Sequence, residues 1–279
     1  MNQKGGVGKT TTCTNLGAAL SRMGKRVLLI DLDPQAHLSL SLGIEPDGLE
    51  KSMYDLLTDP DVDANQVIQP VKDNALLSVL PAEVNLAGVE AELADKVVTG
   101  MAQTVLKQKV SGLISAQGQR AASRPDYVLI DCPPSLGLLT VNALTLASEV
   151  IVPMQAHFLA LQGLGKLFET ISMMRQGINP NLKVAGIVLC MHEGNTILAS
   201  EVINDVNNFL SEARGTDAPW ADAVIYHPPI RRNIKLAESP SFGQSIFDYA
   251  PDCHGAQDYA KLAESVIGQL SETVQPRPT

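Results

Sequence analysis

The feature that most constrains this chain is a glycine-rich run near its start, Lys4-Gly5-Gly6-Val7-Gly8-Lys9-Thr10-Thr11. Glycine at three of four successive positions lets the backbone turn tightly and bring its N–H groups close to an anion. An apolar pattern at helical spacing follows at once, so the run opens onto a helix N-terminus, which favours phosphate. The run predicts a nucleotide site in which Lys9 reaches the β- and γ-phosphates and the Thr10 hydroxyl holds Mg²⁺.

Two short apolar runs end in aspartate and are typical of buried parallel strands, Val27–Asp31 and Tyr127–Asp131. Doubly wound sheets bind their ligands at the carboxyl ends of such strands. We therefore expect Asp131 and Asp31 near Mg²⁺, the former in the Walker B role of steadying the ion or its water. Asp33 is the candidate for orienting the attacking water. The alternative for the Asp31 and Asp33 pair is simple loop capping.

The glycine-rich run is a deviant P-loop, because Gln3 stands where the general pattern has glycine and a second lysine, Lys4, follows it. Together with three further runs it resembles the ParA/Soj partition ATPases, over nearly the whole chain apart from the two ends and parts of residues 45–125. Related MinD and nitrogenase iron-protein branches usually carry glycine at the position of Gln3. The three further runs are Asp31-Leu32-Asp33-Pro34-Gln35, Asp131-Cys132-Pro133-Pro134-Ser135 and Leu236-Ala237-Glu238-Ser239-Pro240-Ser241-Phe242-Gly243.

The resemblance implies a slow Mg²⁺-dependent ATPase that works as a switch, in which ATP controls dimerisation and DNA binding. It implies that Lys4 crosses the dimer interface to the partner's phosphates, and that the turn after Asp131 senses the γ-phosphate. The expected partners are a second copy, nonspecific DNA and a ParB-like protein that stimulates hydrolysis, and no membrane is expected. The cargo could be a chromosome, a plasmid or a protein cluster. The expected location is the cytoplasm, on the nucleoid when ATP is bound.

A basic segment, defined as Arg231, Arg232 and Lys235, brings three positive charges into five residues. On a helix the pairs 231/235 and 232/235 would share a face. For an isolated cluster, a solvated basic turn is the alternative. The resemblance implies nonspecific DNA binding here and an adenine contact at Asn233. Two positions depart from the family: Arg231 replaces a usual proline, and Asn195 stands where many relatives carry a DNA-binding arginine.

Composition limits the remaining possibilities. The net charge of −9 repels nucleic acid overall, so any DNA contact needs a local basic patch. Four scattered cysteines without a C-x-x-C pair predict buried free thiols, which argues against the iron–sulfur branches. The histidines lack metal-ligand spacing. No apolar run approaches a membrane span, and no signal segment opens the chain.

The order of strand and helix patterns predicts an α/β fold, a doubly wound and mostly parallel sheet with helices on both faces. We expect one domain over residues 1–274 and a disordered tail over residues 275–279. Further strands are predicted at residues 75–80, 149–154, 184–190 and 223–226. Helices are predicted at residues 83–98, 101–114, 161–175, 197–210 and 259–270, with a polar loop at 115–124 and mostly surface connection at 44–74.

Two other functions stay open. One is a MinD-like ATPase that positions proteins on a membrane or scaffold, although the closing helix lacks the basic polar face of a membrane-surface helix. The other is a nucleotide-binding protein without turnover, which the pair Asp33 and Asp131 disfavours.

A P-loop normally follows a buried strand, and only three residues precede Lys4. We expect that strand to lie beside the one ending at Asp131. Without it, the flanking strands would stand at twice the normal spacing, and the sheet would have to close up or expose two edges. The expectation from the sequence is that Met1 is not the natural start.

Overall fold

The computed structural model describes residues 5–94, 100–114, 124–157, 160–193 and 197–274. Its strands are β1 (Val27–Asp31), β2 (Gln69–Val71), β3 (Asn74–Leu80), β4 (Tyr127–Asp131), β5 (Glu149–Met154), β6 (Lys183–Leu189) and β7 (Val224–Ile225). The first helices are α1 (Lys9–Arg22), α2 (His37–Ser41), α3 (Met53–Thr58), α4 (Ala64–Val67), α5 (Val89–Glu92) and α6 (Val105–Ile114). The later ones are α7 (Leu138–Leu146), α8 (Ala160–Gly177), α9 (Ile197–Glu212), α10 (Ile234–Glu238), α11 (Ile246–Tyr249) and α12 (His254–Val274). Short 3₁₀ turns lie at Pro46–Gly48, Val84–Gly88, Ala102–Thr104 and Ser239–Phe242.

The strands form two sheets, one in the order β2-β3-β1-β4 and one in the order β5-β6-β7. All pairs are parallel except the antiparallel pair of β2 and β3. The register of β1 against β4 sets Asp31 opposite Asp131. The two aspartates therefore share one edge of the sheet, as the sequence predicted.

Helices cover both faces, and β1 shows why. Its side chains alternate between the faces of the sheet, as in any strand. Val27 and Leu29 pack into a cluster with residues of α1 and α12, while Leu28 and Ile30 pack into another with residues of α3 and α6. Since all five residues of β1 are buried, the predicted α/β, doubly wound architecture is confirmed.

Two predictions for the middle of the chain need correction. The single helix expected over residues 83–98 is, in its described part up to residue 94, a 3₁₀ turn at Val84–Gly88 followed by the short α5, and residues 95–98 lie outside the described residues. The stretch 44–74, expected to be mostly connection, also supplies α4 and the edge strand β2. Residues 115–123 of the loop predicted at 115–124, and the tail at 275–279, lie outside the described residues.

The closing helix α12 buries its apolar side chains Tyr259, Leu262 and Ala263 in the cluster that contains α1 residues. Within the described part of the chain, none of the helices has the length and apolar character needed to cross a membrane.

Candidate nucleotide-binding site

The P-loop forms a turn that only glycine adopts easily. Gly6 has φ +73° and Gly8 has φ +92°, both in the left-handed region. Gly8 is also the N-cap of α1, and a Cβ added there would lie 3.4 Å from the side chain of Cys190. No side-chain cap and no acidic residue occupy the first turn of α1. Its N–H groups and dipole therefore face the loop, where they can bind an anion.

Thr10 and Asp131 place two oxygen ligands beside the loop. The Thr10 hydroxyl donates a 2.6 Å hydrogen bond to Oδ2 of Asp131, which joins the first turn of α1 to the end of β4. The pKa of Asp131 is raised to about 6: burial is the main cause, the Thr10 hydrogen bond opposes it, and the charge of Asp33 adds to it. A hydroxyl and a carboxylate are hard oxygen ligands of the kind Mg²⁺ prefers, so this pair fits the predicted ion.

Asp31 lies behind this pair and is fully buried. Its Oδ2 accepts hydrogen bonds from the Ser39 N–H at 3.0 Å and the Ser39 hydroxyl at 2.8 Å. Its Oδ1 accepts from the Asp33 N–H at 3.1 Å. Burial, and then the charge of Asp131, raise the pKa of Asp31 to about 7. Because protein donors engage both oxygens, Asp31 is better suited to holding the site together than to direct contact with a metal.

Asp33 is partly buried, in the loop after β1. Its Oδ1 accepts a hydrogen bond from the Gln35 N–H at 3.0 Å, and its charge acts on Asp131. The geometry thus brings Lys9, Thr10, Asp33 and Asp131 to one edge of the sheet. Lys4 lies outside the described residues, as does Asn195.

Gln155 belongs to this edge and was missed by sequence reasoning. It follows β5 directly, and its Nε2 donates to the Gly6 carbonyl at 3.0 Å and contacts Sδ of Met191 at 2.8 Å. Its Oε1 is 2.7 Å from Nε2 of His157. A signal existed: the residue after a predicted strand lies at the same ligand-binding edge as Asp31 and Asp131.

The basic segment differs from its prediction in geometry. Asn233 is the N-cap of α10, where its Oδ1 accepts from the Lys235 N–H at 2.9 Å. Arg231 and Arg232 therefore precede the helix and share no helix face with Lys235, so that expectation is wrong.

Each cation of the basic segment also meets a carboxylate. The Arg231 guanidinium binds both oxygens of Asp258, whose side chain is 1% exposed, and the Arg231 N–H donates to the same carboxylate at 3.0 Å. Arg232 pairs with Glu193, and Lys235 pairs with Glu238 at 2.9 Å. Sequence patterns could not find these partners, because Glu193 and Asp258 lie far away in the chain.

The four cysteines are free, as predicted. Cys13, Cys132 and Cys190 are also buried as predicted, whereas Cys253 is only partly buried. Among the described residues no cluster of histidine, cysteine and acidic side chains is arranged to hold a metal. Any Mg²⁺ site here would thus depend on Thr10, Asp131 and the phosphates of a nucleotide.

Known proteins are similar in sequence to most of this chain, including the residues of this site. A family model described as an AAA domain matches residues 1–184. The chain is 40% identical over 265 residues to the sporulation initiation inhibitor protein Soj of Bacillus subtilis, covering 95% of each. It is 43% identical over 274 residues to the chromosome partitioning protein ParA of Caulobacter vibrioides, covering 96% of this chain and 92% of that one.

Solved structures of other proteins also match this fold. The fold matches a cobyrinic acid a,c-diamide synthase from Mycobacterium smegmatis, solved with an ATP analogue and magnesium, with a TM-score of 0.78 and 35% identity. The match covers 98% of this chain and 94% of that one. With the P-loop, the two strand-end aspartates and full-length similarity to Soj and ParA, the chain belongs to the Soj/ParA family of chromosome-partitioning P-loop ATPases.

Proposed function

We propose that this protein is an ATP-dependent molecular switch with weak, Mg²⁺-dependent ATPase activity, and that its ATP-bound dimer binds DNA nonspecifically to partition or position a cargo. The observation that carries the proposal is the Thr10–Asp131 pair beside the P-loop, with the Asp33 carboxylate next to it. Such a site can hold phosphates and a divalent ion and orient a water. Phosphoryl transfer needs little more than this positioning and charge neutralisation.

We assign one role to each residue at this edge of the sheet. The N–H groups from Gly5 to Thr11 hold the phosphates, and Lys9 neutralises their charge. Thr10 and Asp131 would hold Mg²⁺, which, when bound, neutralises charge on the phosphate oxygens. Asp33 orients the attacking water. We assign Asp31 the role of fixing Asp33 and the end of β1 through its hydrogen bonds.

A route from the nucleotide to the rest of the molecule starts at Asp131. The turn after it leads into α7, whose first N–H group, that of Leu138, donates to Oε1 of Glu90 at 2.7 Å. The Thr140 hydroxyl donates to the Ser135 carbonyl at 2.7 Å. A γ-phosphate that moves this turn would therefore act on two helices, α5 and α7. In the proposed dimer Lys4 reaches the phosphates of the partner subunit.

DNA binding is assigned to Arg232 and Lys235. Their ion pairs with Glu193 and Glu238 are solvent-exposed, and exposed pairs of this kind contribute little to stability. DNA phosphates can therefore displace those carboxylates. Arg231, by contrast, is tied to a buried carboxylate by side chain and backbone, which supports a structural role for it.

A MinD-like function on a membrane gains no support from the closing helix. The apolar side chains of α12 that would enter a membrane surface are buried in the core with α1. We therefore keep a DNA-bound dimer, stimulated by a ParB-like partner and located on the nucleoid, as the proposal.

The test compares wild type with Asp33→Ala. We expect Asp33→Ala to bind ATP normally, lose hydrolysis, and accumulate as an ATP-dependent dimer that shifts nonspecific DNA. Nucleotide binding by fluorescence, phosphate release and gel-shift assays with ATP and with ADP measure these steps separately. Unchanged hydrolysis in the variant would remove Asp33 from the mechanism. If neither protein shifts DNA in the gel in an ATP-dependent manner, the proposed switch function is contradicted.

A further inference from the structure

The loop that follows β6, Met191–Glu193, connects the P-loop with the basic segment. At the start of this loop, Sδ of Met191 accepts a hydrogen bond from Nε2 of Gln155 at 2.8 Å. The same nitrogen donates to the Gly6 carbonyl at 3.0 Å. One amide group therefore ties the start of the loop to the P-loop.

The rest of the loop holds the basic segment, both by its backbone and by a side chain. The His192 N–H donates to the Ile230 carbonyl at 2.9 Å, and the Arg232 N–H donates to the His192 carbonyl at 3.1 Å. Next to these bonds, the Glu193 carboxylate pairs with the Arg232 guanidinium. A movement of the loop therefore reaches Arg232 through main-chain hydrogen bonds as well as through the ion pair.

Met191 gives this loop a strained point. Its φ of +52° lies in the left-handed region, which a residue with a Cβ adopts only at a cost in free energy. Strain of this kind persists only where surrounding contacts hold it, and the hydrogen bond from Gln155 is one such contact. A shift of the P-loop that moves Gln155 therefore acts on the backbone direction at Met191.

The two arginines of the basic segment are held in different ways. Arg231 binds the buried Asp258 carboxylate with its guanidinium and with its backbone N–H, so it is a fixed point at the base of the segment. The Arg232 and Glu193 side chains are 73% and 58% exposed. A phosphate from solution can therefore reach the Arg232 guanidinium and take the place of the Glu193 carboxylate.

We infer that Glu193 is an autoinhibitory carboxylate, which occupies the Arg232 guanidinium in place of a DNA phosphate, and that the loop Met191–Glu193 links this contact to the nucleotide at the P-loop. Carboxylate and phosphate both offer anionic oxygens to a guanidinium, so they compete for it. The inference deepens the proposed function and rests on it for its direction, which is that ATP favours the DNA-bound form.

The first test measures the Kd for a fluorescent nonspecific DNA duplex, with ADP and with a nonhydrolysable ATP analogue. With ADP, we expect Glu193→Gln to bind DNA roughly two- to fivefold more tightly than wild type, because the amide keeps the shape and removes the competing charge. With the ATP analogue the gain should be smaller, since wild type has then released Arg232. An equal ratio of the two affinities in wild type and in Glu193→Gln would overturn the inference.

The matched control for this variant is Glu50→Gln. It makes the same change in charge at an exposed position ahead of α3. We expect it to bind DNA as wild type does with either nucleotide. An equal gain in Glu50→Gln and in Glu193→Gln would show that net charge alone is responsible, and would overturn the inference.

A double-mutant cycle tests whether Glu193 acts through Arg232. Arg232→Gln removes the cation for which carboxylate and phosphate compete. In that background, Glu193→Gln should have no further effect on DNA affinity with ADP. A gain of the same size with and without Arg232 would contradict competition for this guanidinium.

Met191→Leu tests the link to the P-loop. It nearly conserves side-chain volume and removes the sulfur that Gln155 contacts. We expect normal affinity for the ATP analogue, and a ratio of DNA affinities between the analogue and ADP that is lower by roughly twofold or more. Met173→Leu makes the same change at an exposed position of α8 and should keep the wild-type ratio. A wild-type ratio in Met191→Leu would overturn the link.

These measurements separate failure of the inference from failure of the proposed function. If wild type and Glu193→Gln bind no DNA with either nucleotide, the proposed function is wrong and the inference falls with it. If wild type binds DNA only with the ATP analogue and Glu193→Gln behaves identically, the proposed function stands and the autoinhibitory role of Glu193 is wrong.

Discussion

Two side chains anchor the P-loop from opposite sides. Asp131, at the end of β4, accepts from the Thr10 hydroxyl, and Gln155, after β5, donates to the Gly6 carbonyl. In a trans peptide the carbonyl and the following N–H point in opposite directions. By holding the Gly6 carbonyl, Gln155 therefore also fixes the direction of the Val7 N–H, one of the loop donors assigned to the phosphates. The loop is thus held by residues from both sheets.

This geometry predicts that Gln155→Leu weakens nucleotide binding. The loss of one hydrogen bond to the loop should reduce ATP affinity roughly three- to tenfold, with little change in Tm. Gln155→Met removes the donor from an unbranched side chain of similar length and should behave alike, whereas Met191→Leu, which leaves the Gly6 contact intact, should bind ATP nearly as wild type. Fluorescence titration and thermal melting check both points, and normal affinity in Gln155→Leu would exclude the positioning role.

Substitution of the two lysines of the P-loop should have different effects. Lys9 neutralises phosphate charge within its own subunit, so Lys9→Ala should lose nucleotide affinity. Lys4, if it acts on the partner's phosphates, should matter only after two subunits meet, so Lys4→Ala should bind ATP as a monomer and fail to dimerise. Titration with a fluorescent nucleotide and light scattering separate the two steps. An equal loss of monomer binding in both variants would contradict the trans role.

At the scale of elements, the register of β1 against β4 forces two buried carboxylates together. Asp31 and Asp131 face each other at the strand ends, and the pKa of each is raised, to about 7 and about 6. A carboxyl whose pKa is higher in the folded state binds more protons when folded, so its contribution to stability falls as pH rises through this range. In the nucleotide-free protein the two buried carboxylates therefore lower the free energy of unfolding when they are charged. A bound cation would offset this loss.

The corresponding prediction concerns Asp131→Asn in the absence of nucleotide and Mg²⁺. The amide keeps the acceptor for Thr10 and removes the charge, so the variant should be more stable than wild type at pH 7.5, by on the order of 2–3 kcal/mol. The advantage should shrink as pH falls through about 6 and should be small near pH 4, where the carboxyl is protonated in the folded state and about half protonated in the unfolded state.

Thermal melts at several pH values measure this difference, and Asp47→Asn, at an exposed position, is the matched control. A gap between wild type and Asp131→Asn that stays constant from pH 4 to pH 7.5 would show that burial of the charge is not its cause.

The sequence predicted some elements well and others poorly, for identifiable reasons. β1 and β4 were predicted with their observed bounds, because a continuous apolar run ended by aspartate has few other readings. The helix over 83–98 failed because Gly88 interrupts it and because tertiary bonds engage its acidic side chains: Glu83 accepts from the Ser52 hydroxyl at 2.8 Å. Gln155 was missed because its one signal is its position directly after a predicted strand, and the contact of a single amide with a distant carbonyl adds no periodic pattern to it.

At the scale of the whole molecule, charge decides where DNA could bind. The chain carries a net charge of −9, so its average surface repels nucleic acid. The basic segment adds three cations, yet each one faces a carboxylate, and one of them, Arg231, faces a buried carboxylate. Binding must therefore exchange the exposed pairs at Arg232 and Lys235 for phosphate contacts, which makes affinity modest and strongly dependent on salt.

This exchange predicts the behaviour of the double variant Arg232→Glu/Lys235→Glu. It should lose most nonspecific DNA binding while ATP-dependent dimerisation stays intact, because the described side-chain partners of Arg232 and Lys235 are Glu193 and Glu238, which lie outside the P-loop. The control Lys72→Glu/Lys107→Glu makes the same change in net charge at exposed positions elsewhere, and should bind DNA far better than the double variant.

A separate variant, Arg231→Ala, should lower Tm, since it leaves the buried Asp258 carboxylate without its cation. Gel shifts over a range of salt concentrations should show a steep loss of wild-type affinity, with a slope reduced by about one for each phosphate contact removed. If both double variants bind DNA equally well, the basic segment is only a solvated surface and the DNA site lies on another part of the dimer.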